Sequence, residues 1–345
     1  MLQVLLYYRY VDLSTAAADT LVSWHEELCT RLHLNGRVRI SEEGINGTLG
    51  GEINAIDAYI DAIEVLEEFK GLEIDWKRSE ASILPFEDLL IRRTKEIVSI
   101  ELPDEECHVN GTAEHLSPND FDAMLQSKGD LAVIDVRNDY EYNIGHFKDA
   151  MNPCTRRFGQ FPQWVRDQLP QLQKKDKILM YCTGGIRCEK ASAYLRHLGL
   201  ENVYQLNGGI HRYLEAFPDG GQFIGKNFVF DQRVTMASLN TQVVGKCSKC
   251  SVAHDVVSGT RCAYCRGHIL LCTSCHETLE QKNIQILCAE HAWMGTGSKE
   301  ELEQKYATLE ASIAAADGPK GKGRRRSIRK QLNAIHKSLE QFRII

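Results

Sequence analysis

No stretch of this chain comes near the roughly 20 consecutive apolar residues that a membrane-crossing helix needs, so no membrane role is expected. The opening residues, Met1 to Tyr8, lack a basic segment, and their short apolar run soon meets Arg9 and Asp12. They read as a first β-strand, not a secretory leader. An overall excess of positive charge is also missing. Forty-one Lys and Arg against 47 Asp and Glu leave a net charge of -6, which gives no global attraction to nucleic acid. No internal repeat is visible. What remains is ordinary soluble material: 43% hydrophobic and 26% charged residues, over 345 positions that call for two or three folded units. Twelve cysteines stand out, but seven lie between 247 and 288, mostly as Cys-x-x-Cys pairs. That is metal-ligand spacing, which fits a reducing cytoplasmic location better than a disulfide scaffold.

Periodicity divides the chain. Residues 1–99 alternate strand-like and helix-like segments. Val4 to Tyr10 reads as a strand, and 14–34 as a helix striped by Leu21, Trp24, Leu28 and Leu32. Arg37–Ile40 and Gly44–Leu49 follow as strands, 53–68 as a helix, and 72–78 and 89–99 as the last strands. The first six of these run in the order βαββαβ, that of a ferredoxin-like α+β domain. The stretch 100–113, with Pro103 and Asp104-Glu105-Glu106, reads as a linker. Within 114–220, short apolar runs such as Leu131–Asp135 and Lys177–Tyr181 alternate with helices, the pattern of an α/β domain with a buried parallel sheet. A connector over 218–245 leads to the cysteine-rich module, 246–292, and a helical tail, 299–345. In the tail, Leu302, Tyr306, Leu309 and Ile313 stripe one helix and Ile328, Leu332, Ile335 and Leu339 another, with Gly318-Pro319 between them.

The chemistry concentrates at Cys182-Thr183-Gly184-Gly185-Ile186-Arg187. Cys182 follows a buried strand and precedes a helix, so backbone N–H groups and the positive helix end favour its thiolate. Gly184 and Gly185 let the backbone curl around the sulfur, and Arg187 is expected to add positive charge at the rim. The Cys-x4-Arg loop is one residue shorter than that of cysteine phosphatases, which disfavours phosphate as the group handled. Cys188, six residues on, is either a resolving thiol or a small buried residue. Arg137 and Glu141 are expected to pair and hold the loop after the strand. Arg156 and Arg157 are candidates for a substrate rim.

Two stretches carry a family resemblance. Asp135-Val-Arg137-Asn-Asp-Tyr-Glu141-Tyr-Asn-Ile-Gly145-His146-Phe resembles the rhodanese signature, and Tyr181-Cys-Thr-Gly-Gly-Ile-Arg-Cys-Glu-Lys190 resembles the active loop of the tRNA uridine hydroxylases. Gly208-Gly209-Ile210, Gly225 to Arg233 and Glu43-Gly44-Ile45-Asn46-Gly47 are similar to that family as well, and Gly209 to Gly220 looks closer to eukaryotic thiosulfate-sulfurtransferase-like proteins. The resemblance implies a rhodanese domain over 114–220, an acylphosphatase-like domain before it, and oxygen-dependent hydroxylation of the tRNA wobble uridine at C5 with Cys182 essential. Molecular oxygen would be the co-substrate and tRNA the partner. A different enzyme class is the alternative: a sulfurtransferase passing persulfide sulfur from a small thiol or a donor protein. A third possibility is a non-catalytic, zinc-stabilised scaffold.

The cysteine cluster, Cys247-x2-Cys250-x11-Cys262-x2-Cys265-x6-Cys272-x2-Cys275-x12-Cys288-x2-His291, offers eight ligands for one or two structural zinc ions. One sorting joins the first and third pairs and sets the second pair with Cys288 and His291; His254, His268 and His276 are substitutes. Between Gly318 and Leu339 stand eight Lys or Arg residues and no acid. Arg324, Arg325 and Arg326 at their centre are candidate RNA-backbone contacts, a nuclear-import signal or a merely solvated helix end, and Lys77 and Arg78 are candidates to extend an RNA surface.

Overall fold

Alternating faces organise the first sheet. In the computed structural model, residues 1–239, 242–257, 259–314 and 322–341 are described. Contacts gather them into two units, Met1–Gln242 and Val243–Ile345. The first opens with β1 (Leu2–Tyr10), α1 (Thr15–Arg31), β2 (Asn35–Ser41), β3 (Gly44–Glu52), α2 (Ile53–Glu64), β4 (Lys77–Ala81) and β5 (Leu89–Arg93). The Ser14 hydroxyl caps α1 by accepting from the Ala17 N–H at 3.1 Å. Leu5, Tyr7, Val38, Ile40, Ile45, Leu49 and Ile91 point to one face and bury against Leu21, Leu28, Ile56, Ile60 and Ile63 of the helices. The strand order β4-β1-β3-β2 is ferredoxin-like, and β5 is added beyond β2, in parallel with it. This corrects two expected strands: one lies at 77–81 instead of 72–78, and the last ends at Arg93 instead of 99. Lys77 is fully buried with its Nζ 2.5 Å from Asp75, so it extends no RNA surface.

Residues 100–113 are more than a linker. They form α3 (Asp104–Cys107) and a 3-10 turn, and Cys107 is packed into the next core. Then follow β6 (Glu114–Leu116), α4 (Pro118–Leu125), β7 (Leu131–Asp135), α5 (Asp139–Tyr142), β8 (Gly145–Phe147), α6 (Phe161–Leu172), β9 (Lys177–Tyr181), α7 (Ile186–His197), β10 (Val203–Leu206) and α8 (Gly209–Ala216). Strands β6-β10-β9-β7 form a parallel sheet, buried as their continuous apolar runs require. The stretch expected as a connector folds back instead: β11 (Phe223–Phe228) pairs antiparallel with β8 on one side and β12 (Thr235–Ala237) on the other.

Helix α7 is buried from Arg187 through Leu195. One side packs on the parallel sheet; the other meets the first domain. Tyr8 donates to Glu189 at 2.9 Å, Tyr10 donates to the Ile186 carbonyl at 3.3 Å, and Lys190 bridges Glu43 and Glu96 at 2.6 and 2.9 Å. The two sheets thereby enclose the start of the helix that carries the thiol loop.

The second unit holds α9 (Thr273–Gln281), α10 (Lys299–Ala314) and α11 (Lys322–Gln341). Leu302, Ala334 and Ile335 bury with Leu271, Ile269 and four of the cysteines in one small core.

Candidate active site

The Cys182 sulfur sits at the mouth of α7. Gly185 is the N-cap at φ +103°, and its N–H donates to Sγ at 3.1 Å. The thiol is wholly buried, and burial by itself would raise its pKa. The Cys188 thiol, the Arg187 charge and the N–H groups of Arg187 and Gly184 outweigh that, bringing Cys182 down to about 5. Cys188 goes the opposite way, pushed up by burial and by the neighbouring thiolate to which it donates. It is the buried partner of the thiolate here.

A second layer holds the loop. Ile210 and His211 N–H groups donate to the Cys182 and Thr183 carbonyls at 2.9 and 3.1 Å. Gly209, at φ +65°, has no alternative residue: a Cβ there would stand 2.6 Å from the Cys182 carbonyl oxygen and 2.8 Å from the Gly184 nitrogen. The sequence places Arg187 at the rim, and the structure does not. Arg187 is buried and donates to both oxygens of Glu141 at 2.7 and 2.8 Å, and to Thr183 at 3.1 Å. The expected Arg137–Glu141 pair is likewise replaced. Arg137 pairs with Asp135, and Glu141 serves Arg187 while accepting from the Asn138 N–H at 3.0 Å. Burial opposes the Glu141 carboxylate, but Arg187 holds its pKa below the usual range. Glu141→Gln should therefore destabilise the protein by about 3–5 kcal/mol, because it leaves a buried guanidinium unpaired. Denaturant midpoints would check this; a change under about 1 kcal/mol would mean that Arg187 finds another partner.

Cys182, Thr183, Gly184, Ile186 and Arg187 line a cleft of about 660 Å³. Its other wall is the open face of the first sheet: Val4, Leu6 and Tyr8 of β1, Arg37 and Arg39 of β2, Asn46 and Thr48 of β3. Arg156, Arg157, Tyr140, Phe230 and Arg233 complete it. Arg157 pairs with Glu101 at 3.0 Å, and Arg233 with Asp231 at 2.7 Å. Arg156 and Arg157 thus share the cleft with the thiol. Tyr8, Arg37 and Arg39 were missed as site residues; the alternation Arg37-Val38-Arg39-Ile40 was their signal, since it places both arginines on one face. Arg325 and Arg326 lie on α11 in the second unit, and the Arg324 side chain and Lys320 fall outside the described residues.

The cysteine module gathers its donors into two tetrads, Cys247, Cys250, Cys272, Cys275 and Cys262, Cys265, Cys288, His291, each with all ligand atoms within 4.8 Å of one another. Sulfur separations are 3.7 Å for Cys250–Cys272 and 3.9 Å for Cys265–Cys288. A tetrahedron with metal–sulfur bonds of about 2.3 Å has edges of about 3.8 Å, so the residues fit such an ion. Backbone N–H groups of Cys272, Cys250 and Lys249 overcome burial and bring the Cys247 thiol to about 6, the ionised form that a metal requires. The two tetrads could hold metal ions.

A thiolate cradled at a strand–helix junction of a parallel α/β sheet defines a rhodanese-type domain. Residues 117–216 match the rhodanese-like domain, 2–97 the UPF0176 acylphosphatase like domain, and 224–291 the rhodanase C-terminal domain. The chain is 41% identical over 247 residues to the tRNA uridine(34) hydroxylase of Bacillus pumilus, covering 71% of this chain and 75% of that protein. It is 37% identical over 279 residues to the enzyme of the same name from Corynebacterium urealyticum, covering 79% and 93%. With rhodanese-like domain-containing protein 6 of Arabidopsis thaliana it shares 39% identity over 294 residues, 79% of this chain and 50% of that protein's length. The chain belongs to the tRNA uridine(34) hydroxylase family. No helix among the described residues is long and apolar enough to cross a membrane.

Proposed function

We propose that this protein is a cytoplasmic enzyme that hydroxylates the wobble uridine of tRNA at C5, with Cys182 as its nucleophile. The observation that carries the reading is an ionised thiol opening into an arginine-rich cleft large enough for a nucleotide. The Cys182 thiolate adds to C6 of the uracil, forming an S–C6 bond and moving the C5=C6 electron pair onto the C5–C4–O4 enolate. C5 is then nucleophilic and bonds one atom of molecular oxygen, the co-substrate that the family resemblance implies, while two thiols oxidised to a disulfide supply the two electrons that reduce the other atom to water. After the C–O bond forms, loss of the C5 proton and cleavage of S–C6 restore the double bond. Arg187 keeps the sulfur anionic by its charge, and Glu141, acting through Arg187, is a positioning residue.

Sulfur transfer through a Cys182 persulfide uses the same thiolate. A cleft of about 660 Å³ with arginines on both walls exceeds what a thiosulfate-sized donor needs. Two zinc ions, one per tetrad, serve a structural role, since four protein ligands leave no open position. Arg325 and Arg326 of α11 supply sequence-independent contacts to RNA phosphates.

Nucleoside mass spectrometry of tRNA from cells with and without the gene distinguishes the readings. We expect 5-hydroxyuridine derivatives to disappear with the gene and return with it. Loss of thiolated nucleosides instead would assign the protein to sulfur transfer.

A further inference from the structure

The open face of the first sheet carries an unneutralised cation pair. Arg39 on β2 and Arg92 on β5 stand directly opposite each other in the parallel register, so their side chains leave the sheet on the same face. Both are exposed. Like charges placed opposite across strands repel. That repulsion, after partial enclosure, lowers the Arg39 pKa. Their neighbours are treated differently: Arg37 is paired with Asp88, and Arg93 with Asp19 and Glu42. Among the described residues, neither Arg39 nor Arg92 meets an acid.

The pair is also aligned with the reactive sulfur. Arg39 is registered with Asn46 of β3, and Asn46 with Tyr8 of β1. The row Arg92–Arg39–Asn46–Tyr8 therefore crosses four adjacent strands, about 4.8 Å apart. It ends where the Tyr8 hydroxyl meets the thiol loop, 2.8 Å from the position a Cβ of Gly185 would take. Arg39, Asn46 and Tyr8 line the same cleft as Cys182.

We infer that Arg39 and Arg92 form a phosphodiester-binding subsite, holding the backbone of the nucleotides that flank the base presented to Cys182. The occupant is single-stranded RNA, as in an anticodon loop. Two facing guanidiniums match the oxygens of one or two phosphates, and the strand row leads from them to the thiol. The identity of the RNA rests on the hydroxylase reading; the phosphate subsite does not.

The test measures binding of an anticodon stem–loop RNA, uridine at its wobble position, to the full chain over a range of salt. Arg39→Gln and Arg92→Gln should each weaken binding several-fold at low salt. Each should also flatten the logarithmic salt dependence by about 0.7, the value for one single-strand phosphate contact. The thermal midpoint without RNA should hold or rise, since each change removes a repulsion. The double variant Arg39→Lys/Arg92→Lys should keep the wild-type slope. An unchanged slope in the Gln variants, or one lost equally in the Lys variant, overturns the subsite. Because the readout is binding, the subsite stands if Cys182 proves to carry out sulfur transfer, and it falls by itself if hydroxylation is found but the slopes do not move.

Discussion

Cys182→Ser should abolish hydroxylation, by at least about three orders of magnitude, as loss of a covalent nucleophile does elsewhere, while leaving the fold intact. Serine fills nearly the same volume, and its hydroxyl can accept from the same Gly185 N–H that now reaches Sγ at 3.1 Å. It cannot ionise there, however, so no nucleophile forms. The wild-type sulfur makes a second measurement possible. Its folded pKa is about 5, depressed from the ordinary thiol value, so the thiolate is present above that pH and is lost as pH falls through it. Alkylation of Cys182 by a small reagent should therefore be nearly flat from about pH 6 to about pH 8, where an ordinary thiol would still gain about tenfold per unit. In Glu141→Gln the freed Arg187 shifts away from the loop and the alkylation midpoint moves up. A rate that climbs steadily to about pH 8.5 in the wild type, or a serine variant that still forms 5-hydroxyuridine, would remove the thiolate from the mechanism.

The local parts of this site were legible in the sequence because they depend on neighbours in the chain. The glycines and N–H groups that face the Cys182 sulfur lie within five residues of it, and each Cys-x-x-Cys pair brings two sulfurs together by itself. What escaped was set by long-range partners. Glu141 serves Arg187 across 46 positions, and only the fold decides that Arg137 takes Asp135 instead. Burial of Arg187 could not be inferred from an arginine at a loop end, since an unpaired arginine would stay at the surface. The parallel pairing of β5 with β2 escaped for a related reason, although the strand itself was expected: a parallel edge pairing leaves no turn signature. The second wall of the cleft escaped because the open face of the first sheet reads, from residue types alone, as a solvated face. Tyr8, Arg37, Arg39 and Asn46 become site residues only once the sheet is laid against α7.

Stripping metal from the full chain should unfold the second unit and spare the first. The core of Val243–Ile345 is small, and Cys247, Cys262, Cys272 and Cys288 are among its buried members. Without ions, the Cys250 and Cys272 sulfurs, 3.7 Å apart, and those of Cys265 and Cys288, 3.9 Å apart, have no metal to tie their loops together. Two structural zinc ions, as proposed, would contribute about 10–16 kcal/mol each by the measure of zinc-finger peptides, against a net stability of about 5–15 kcal/mol for a typical domain. The unit Met1–Gln242 has its own cores, on one face of the first sheet and on both faces of the parallel sheet, and no ligand from either tetrad. Chelator treatment followed by limited proteolysis should place new cleavages within 243–345 and leave 1–242 resistant, with two equivalents of zinc released. Cys250→Ser and Cys265→Ser should each release one equivalent, since each removes a ligand from a different tetrad. A chain that carries no metal as purified, or one whose second unit resists proteolysis after chelation, would make the tetrads ordinary packed cysteines.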